Sequence, residues 1–346
     1  MNANERKYPG FIARLRPVGP WRFGSAAGSR DQVDRIYHSD SLYSAIASAM
    51  DRLGRLEEWL AATAERGAEA EVRLSSCFPW QSNTLFVPPP RSLWPPPPSP
   101  RVRWEGAQFV PVSLVSELIA DKTPDEDQWA VDGQSKCLAT ADRPLAGPFR
   151  AAIRTAAAVD RLTQAAEPHS TACLEFAPDA GLWFAAEFGG DEARERWSDA
   201  LKAAIRLLAD SGFGGERSRG WGRAEQPEFT DGLLPDLLLP HQPESGSRDD
   251  GQQAWWLLSL FSPSQADRVD WRRGWYSVVW RAGRVESPAG WGALKKISRM
   301  VTEGSVLISG RPPRGAAVNV APDGFPHPVF RSGLAVAVSI PLKAAS

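Results

Sequence analysis

Gly212-Phe213-Gly214-Gly215-Glu216-Arg217-Ser218-Arg219-Gly220-Trp221-Gly222-Arg223 sets five glycines and three arginines in twelve residues. Glycine reaches positive φ and lets a ligand approach the main chain closely. Arginine offers a planar fork that fits phosphate. The stretch therefore reads as a loop shaped for a polyanion, against the plainer reading of a solvated glycine-rich turn. What precedes it restricts the choice. From Asp191 to Asp210, the residues Trp197, Leu201, Ile205 and Leu208 recur at helical spacing. Asp191 and Glu192 suit the positive end of that helix, and Gly212 stands where a terminating glycine belongs. The glycines thus follow a helix, whereas dinucleotide and Walker loops follow a strand and open a helix. The Walker lysine is also missing.

Elements on either side supply an order. Gly10–Val18 reads as a strand, and a helix starts near Ser39 or Asp40, with Leu42, Ile46, Ala49 and Leu53 as its apolar stripe and Gly54 at its end. A second helix spans about residues 56–64, and strand-like residues lie between Val72 and Val87. Pro88–Pro90 and Pro95–Pro98 suggest an extended spacer. Val102–Val112 reads as a strand and Leu114–Ala120 as a short helix, whereas residues 121–147 read as an excursion from the core. Thr171–Ala177 and Leu182–Phe188 alternate about a Pro-Asp-Ala-Gly turn, which predicts a β-hairpin. A strand near Ala224–Phe229 completes a ferredoxin-like βαββαβ unit with a long insertion. Residues 233–252 form a predicted linker between a unit at 1–232 and one at 253–346. The latter has strands at 255–261, 275–280 and 335–340, and a helix at 295–301.

Composition excludes several classes. A net charge of −1 argues against indiscriminate coating of nucleic acid but leaves room for a local basic site. No apolar run approaches the length of a membrane span, and the first ten residues carry no signal core. Cys77, Cys137 and Cys173 fit neither a zinc site nor a disulfide framework, which points to a reducing cytoplasm. No cofactor or metal is expected. Fifteen tryptophans suit a core or subunit interfaces.

Several segments together resemble the RAMP superfamily of CRISPR proteins, and within it the type III-A (Csm complex) subunits that cap the guide RNA 5′ end. Ile36–Ile46 (IYHSDSLYSAI) is similar to their helix-opening His-Ser-Asp-Thr-Leu motif, with Ser41 in place of threonine. Cys77-Phe78-Pro79-Trp80 with the prolines at 88–90, Val159-Asp160-Arg161 and the glycine-rich loop follow in the same order. Residues 295–306 and His327–Gly333 resemble the C-terminal signatures. The resemblance implies an α+β protein of two ferredoxin-like (RRM-like) domains, the first with a long insertion. It implies a non-catalytic subunit that holds the repeat-derived 5′ tag of the guide RNA. Its partners would be a large polymerase/cyclase-type subunit and a backbone RAMP subunit. The RNA contacts it suggests are His38, Ser39, Arg161, Gly212, Gly214, Gly215, Arg217, Ser218, Arg219, Gly220, Trp221, Gly222 and Arg223. Asp40 is expected as a helix cap, Lys295 and Lys296 as a solvated face, and His327 as a turn-former. Lys136 and Arg143 lie in the insertion, within reach of RNA. Two alternatives stand beside this: an endonuclease that uses His38 as general base, and a scaffold without selective RNA binding.

Overall fold

The computed structural model describes residues 8–24, 29–96, 104–141, 147–240, 251–287 and 290–342. The chain is a mixed α/β protein, mostly sheet with few helices. Its first strands and helices are β1 (Tyr8–Leu15), α1 (Ser39–Arg52), α2 (Leu56–Ala62), β2 (Val72–Leu74), β3 (Phe78–Gln81) and β4 (Thr84–Val87). Then come β5 (Val110–Pro111), α3 (Val112–Ile119), β6 (Trp129–Val131), β7 (Leu138–Thr140), β8 (Phe149–Val159), β9 (Ala166–Phe176), β10 (Ala180–Phe188), α4 (Asp191–Ser211) and β11 (Glu228–Leu234). The main sheet is antiparallel in the order β11-β1-β10-β3-β4-β5, with β2 also paired to β10. Every residue of β10 is buried, as its central place requires. Helix α4 buries Trp197, Leu201, Ile205 and Leu208, the stripe that its sequence predicts. Helix α1 buries Leu42, Ile46 and Ala49, whereas Leu53 is its exposed C-cap residue. Trp59 meets Trp197 edge-on at 5.4 Å and closes the helical layer.

The C-terminal part holds β12 (Gln253–Leu257), β13 (Val278–Arg281), β14 (Arg284–Ser287), β15 (Gly290–Leu294), β16 (Ser298–Val301), β17 (Val306–Ser309), β18 (Ala317–Asn319), β19 (Phe330–Ser332) and β20 (Ala337–Ile340). Strand β12 is the centre of a three-stranded sheet, β17-β12-β20. Alternation along this strand serves two cores. Ala254, Trp256 and Leu258 join the large core of the N-terminal part, while Leu257 belongs to a smaller cluster with Phe261, Val301, Leu307 and Ala335.

Five expectations need correction. Residues 171–177 do not pair with 182–188: β9 pairs with β8 over its whole length, and β10 takes the sheet centre. The fully buried β10, apolar except for Glu187, needs partners on both edges, while much of β9 is polar and exposed. Residues 295–301 are not helical; Ser298–Val301 pairs with Val278–Arg281, burying Met300 and Val301. Pro88, Pro89 and Pro90 are buried rather than a spacer, and the Pro88 carbonyl accepts the Trp256 indole N–H at 3.2 Å. The first part of the predicted linker is packed, with Leu234, Leu238 and Leu239 buried, while 241–250 lies outside the described residues. Within the excursion expected at 121–147, Trp129–Val131 and Leu138–Thr140 pair as a β6–β7 hairpin that buries Cys137 and Leu138; residues 142–146, with Arg143, lie outside the described residues. Of the strand predicted at 102–112, Val110–Pro111 forms.

Since Trp256 fills the large core from the C-terminal part, Trp256→Ala is expected to cost about 3–5 kcal/mol. Both parts should then melt in one transition at lower denaturant. Tryptophan fluorescence and far-UV circular dichroism measure this, and two separate transitions in the wild type would contradict it.

Candidate nucleic-acid cleft

The glycine-rich loop leaves α4 at Gly212, φ 83°, and is anchored by Phe213, which is 3% exposed. Phe213 meets Trp21 edge-on at 4.7 Å and Tyr37 at 5.2 Å. Main-chain bonds lace the loop to the segment before it: Gly215 N–H donates to Arg22 C=O at 2.8 Å, and Gly222 N–H to Pro20 C=O at 3.0 Å. Arg22 is itself buried, its guanidinium donating to the carbonyls of Ser29, Arg30 and Ala172. The glycines serve this self-packing. At Gly214 a Cβ would lie 2.7 Å from the Arg22 carbonyl oxygen, and at Gly222 it would collide with the Phe213 carbonyl. Gly220 differs, with φ +78° and open space around its Cβ position.

The three loop arginines do not converge. Arg217 Nη2 donates to Glu286 Oε1 at 2.6 Å, across to β14. Arg219 Nη2 donates to His169 Nε2 at 2.6 Å on the β8–β9 ribbon. Arg223 Nε donates to the Asp210 carbonyl at 2.8 Å. Ser218 is exposed and Trp221 half-buried, without a ring partner among the described residues. Arg161 is exposed at the tip of the β8–β9 hairpin, where Asp160 Oδ1 accepts the N–H groups of Leu162 and Thr163.

Arg217 opens onto a cleft of about 320 Å³ between the two parts of the chain. One wall is the loop, from Gly212 to Arg217. A second is the outer face of α1, with Ser41, Ser44, Ser48 and Arg52 at helical spacing. The third comes from the C-terminal part, with Arg281, Gly283, Lys295 and Arg331. Five cations line the cleft (Arg52, Arg217, Arg281, Lys295, Arg331) against two carboxylates, Asp40 and Glu286. Lys295 has no carboxylate partner among the described residues, and burial beside the Arg331 guanidinium lowers its pKa. Lys296 pairs with Asp323 at 2.7 Å, and His327 holds a turn by bonding Ser287 Oγ and the Pro328 carbonyl.

The cleft floor is a buried polar junction. Arg281 donates twice to Asp40, Nε to Oδ2 at 3.0 Å and Nη2 to Oδ1 at 2.8 Å, and Arg331 Nε lies 3.4 Å from Oδ2. Arg331 also donates to Ser298 Oγ and to the carbonyls of Arg281 and Ala282. His38 stands between Glu303, 2.8 Å from Nδ1, and Asp34, 3.1 Å from Nε2. Ser76 Oγ donates to Glu303 and accepts the Ser39 N–H, and Ser39 Oγ accepts the Leu260 N–H at 3.0 Å. His38 and Ser39, expected as RNA contacts, are thus 9% and 1% exposed and engaged with both parts of the chain, through Asp34 and Ser76 on one side and Glu303 and Leu260 on the other. Asp40 is likewise not a cap but a buried counter-ion, and His38 is the N-cap residue of α1. Sequence reading missed Arg52, Ser44, Arg281 and Glu303. Ser44 and Arg52 had a linear signal in the hydroxyl and basic spacing along α1, whereas Arg281 and Glu303 had none.

Residues 14–225 match the RAMP superfamily model, and residues 250–340 match the CRISPR Csm4 C-terminal domain. The chain belongs to the RAMP superfamily. Within it, the chain is Csm4-like. Among solved structures it is similar to a chain of the Csm3–Csm4 subcomplex in the type III-A CRISPR-Cas interference complex, at 16% identity and TM-score 0.63. That match covers 96% of this chain and 100% of the other. It is also similar to a chain of the Csm1–Csm4 cassette in complex with cA4, at 16% identity and TM-score 0.55, covering 97% and 100%. No curated protein matches by sequence.

Although burial opposes it, the two carboxylates that flank His38 raise its pKa from 6.5 to about 10. Asp34, Asp40 and Glu303 are held below their ordinary values of 3.8, 3.8 and 4.5, against burial, by His38 and Arg281. The raised group stabilises fully below about pH 6.5 and loses its contribution as pH climbs through about 10. The lowered carboxylates stabilise above about pH 4.5 and lose that on acidification. His38 should therefore make stability measured by urea unfolding decline between about pH 6.5 and 10, by at most about 1.4 kcal/mol per unit, on top of the decline that the raised carboxyl of Glu187 adds between about pH 4.5 and 7. His38→Gln should flatten the alkaline decline; an unchanged decline would contradict the assignment.

Proposed function

We propose that this chain is a subunit of a type III-A CRISPR effector complex and holds the 5′ repeat-derived tag of the guide RNA in the cleft. The carrying observation is the charge of that cleft: five cations face two carboxylates in a chain of net charge −1. Phosphate contacts from arginine and lysine supply most non-specific affinity for nucleic acid. The α1 hydroxyls suit the ribose 2′-OH, and half-buried Trp221, without a ring partner among the described residues, suits base stacking. Ser218, Arg219, Gly220 and Arg223 extend the same RNA path along the loop rim, and Arg161 meets it from the hairpin tip. Gly212, Gly214, Gly215 and Gly222 then act by shaping the loop, and His38 and Ser39 by holding the cleft floor. The order β11-β1-β10-β2/β3 with α1 and α4 supports a ferredoxin-like first domain, which β11 carries past the expected residue 232 to Leu234. A second, equivalent domain from residue 253 has weaker support, since its described residues form strands without a helix. A large polymerase/cyclase-type subunit and a backbone RAMP subunit are the protein partners, and the cytoplasm is the place of action. No helix of the described residues is long and apolar enough to cross a membrane.

The non-catalytic reading is supported by the state of His38. A buried imidazole already protonated near neutral pH cannot take a proton from a ribose hydroxyl. No RNA cleavage by the chain alone is expected.

Replacing Arg52, Arg217 and Lys295 together by Ala should weaken binding of tag-bearing guide RNA. The log–log salt dependence should become shallower by about 2, since each single-strand phosphate contact contributes about 0.7. Arg194→Ala, an exposed α4 arginine paired with Asp191, should leave affinity and slope unchanged. Fluorescence anisotropy across a salt series measures both. An unchanged slope in the folded triple variant would sink the cleft as the RNA site.

A further inference from the structure

We infer that Glu286 is a built-in phosphate surrogate which latches the glycine-rich loop across the cleft, and that RNA binding displaces it from Arg217. The inference rests on the cleft reading above and adds its regulation. Of the two carboxylates in the cleft, Asp40 is committed to Arg281 and Arg331 on the floor. Glu286 is the other, and it sits on β14, on the wall opposite the loop. Its Oε1 lies 2.6 Å from Arg217 Nη2. The pair spans the two parts of the chain at the cleft mouth, with about half of each side chain exposed (46% and 52%). Such an exposed pair is weak, so a polyanion that makes further contacts in the cleft displaces it.

A carboxylate and a phosphate present the same acceptor geometry to a guanidinium fork. Glu286 therefore keeps Arg217 extended over the cleft and satisfied until a phosphate replaces it. Two consequences follow. Affinity is set lower than the cleft cations alone would give, since each binding event first breaks the Arg217–Glu286 pair. Selectivity rises, since an isolated anion competes poorly with a tethered one, whereas an RNA strand that also reaches Lys295 and Arg52 displaces it.

The test is a double-mutant cycle on the full-length chain with a labelled single-stranded RNA carrying the repeat-derived 5′ segment. Glu286→Gln should tighten binding by about two- to fivefold in the wild-type background. In the Arg217→Ala background the same substitution should have no effect, because nothing is left to unlatch. Equal tightening in both backgrounds would mean that Glu286 acts only through its charge on the cleft; the latch would fall and the cleft reading would stand. No change on Glu286→Gln in either background, with wild-type binding intact, would also overturn the latch. If the wild type fails to bind the RNA, the cleft reading itself fails and takes the latch with it.

Discussion

One buried carboxylate, Asp40, faces two buried guanidiniums, Arg281 and Arg331, and this contact fixes the cleft. Asp40 belongs to α1 and both arginines to the C-terminal part, so the ion pairs can form only when the two parts are in one relative position. Buried charges are costly to desolvate, and the cost is recovered only with good geometry and full hydrogen bonding. Here the remaining guanidinium protons reach Ser41, Ser298 and main-chain carbonyls. Any sliding between the two parts would strand a charge. The arrangement therefore specifies position more than it adds stability. His38 repeats the device two residues earlier, bridging Asp34 of its own part and Glu303 of the other.

From that fixed junction the cleft follows. The buried side of α1 joins the large core, its first residues bind the C-terminal part, and its outer face is left as a wall with hydroxyls and Arg52. The glycine-rich loop is placed opposite by Phe213, which plugs an aromatic nest of Trp21, Phe23 and Tyr37. Tyr37 immediately precedes His38, so the loop anchor and the junction share one short segment. Loop, helix and C-terminal strands are thus three walls referred to a single point.

Local signals carried much of this. The α4 stripe, the glycine at its end and the start of α1 were readable, because helix periodicity and terminating glycines are properties of neighbouring residues. The place of the glycine-rich loop after a helix was readable as well, since it leaves α4 at Gly212. The role of the His-Ser-Asp segment was not readable. A histidine beside a serine and an aspartate looks the same whether it faces RNA or a buried glutamate 265 positions away. The glycines were misread in emphasis for a related reason: close approach was expected from a ligand, and at Gly214 and Gly222 it comes from the protein's own carbonyls. Strand partners failed too. The β9 and β10 segments have ideal hairpin chemistry between them, yet β9 finds a longer ladder with β8, and the apolar β10 is drawn to the sheet centre.

The central claim is that one guide-RNA segment lies between three walls joined by the Asp40 junction. Hydrogen–deuterium exchange of the full-length chain, with and without tag-bearing guide RNA, tests it directly. The account predicts slowed exchange together in residues 212–220, at the outer turns of α1, and across 281–295. Protection confined to other surfaces, with those three segments unchanged while RNA is bound, would contradict it.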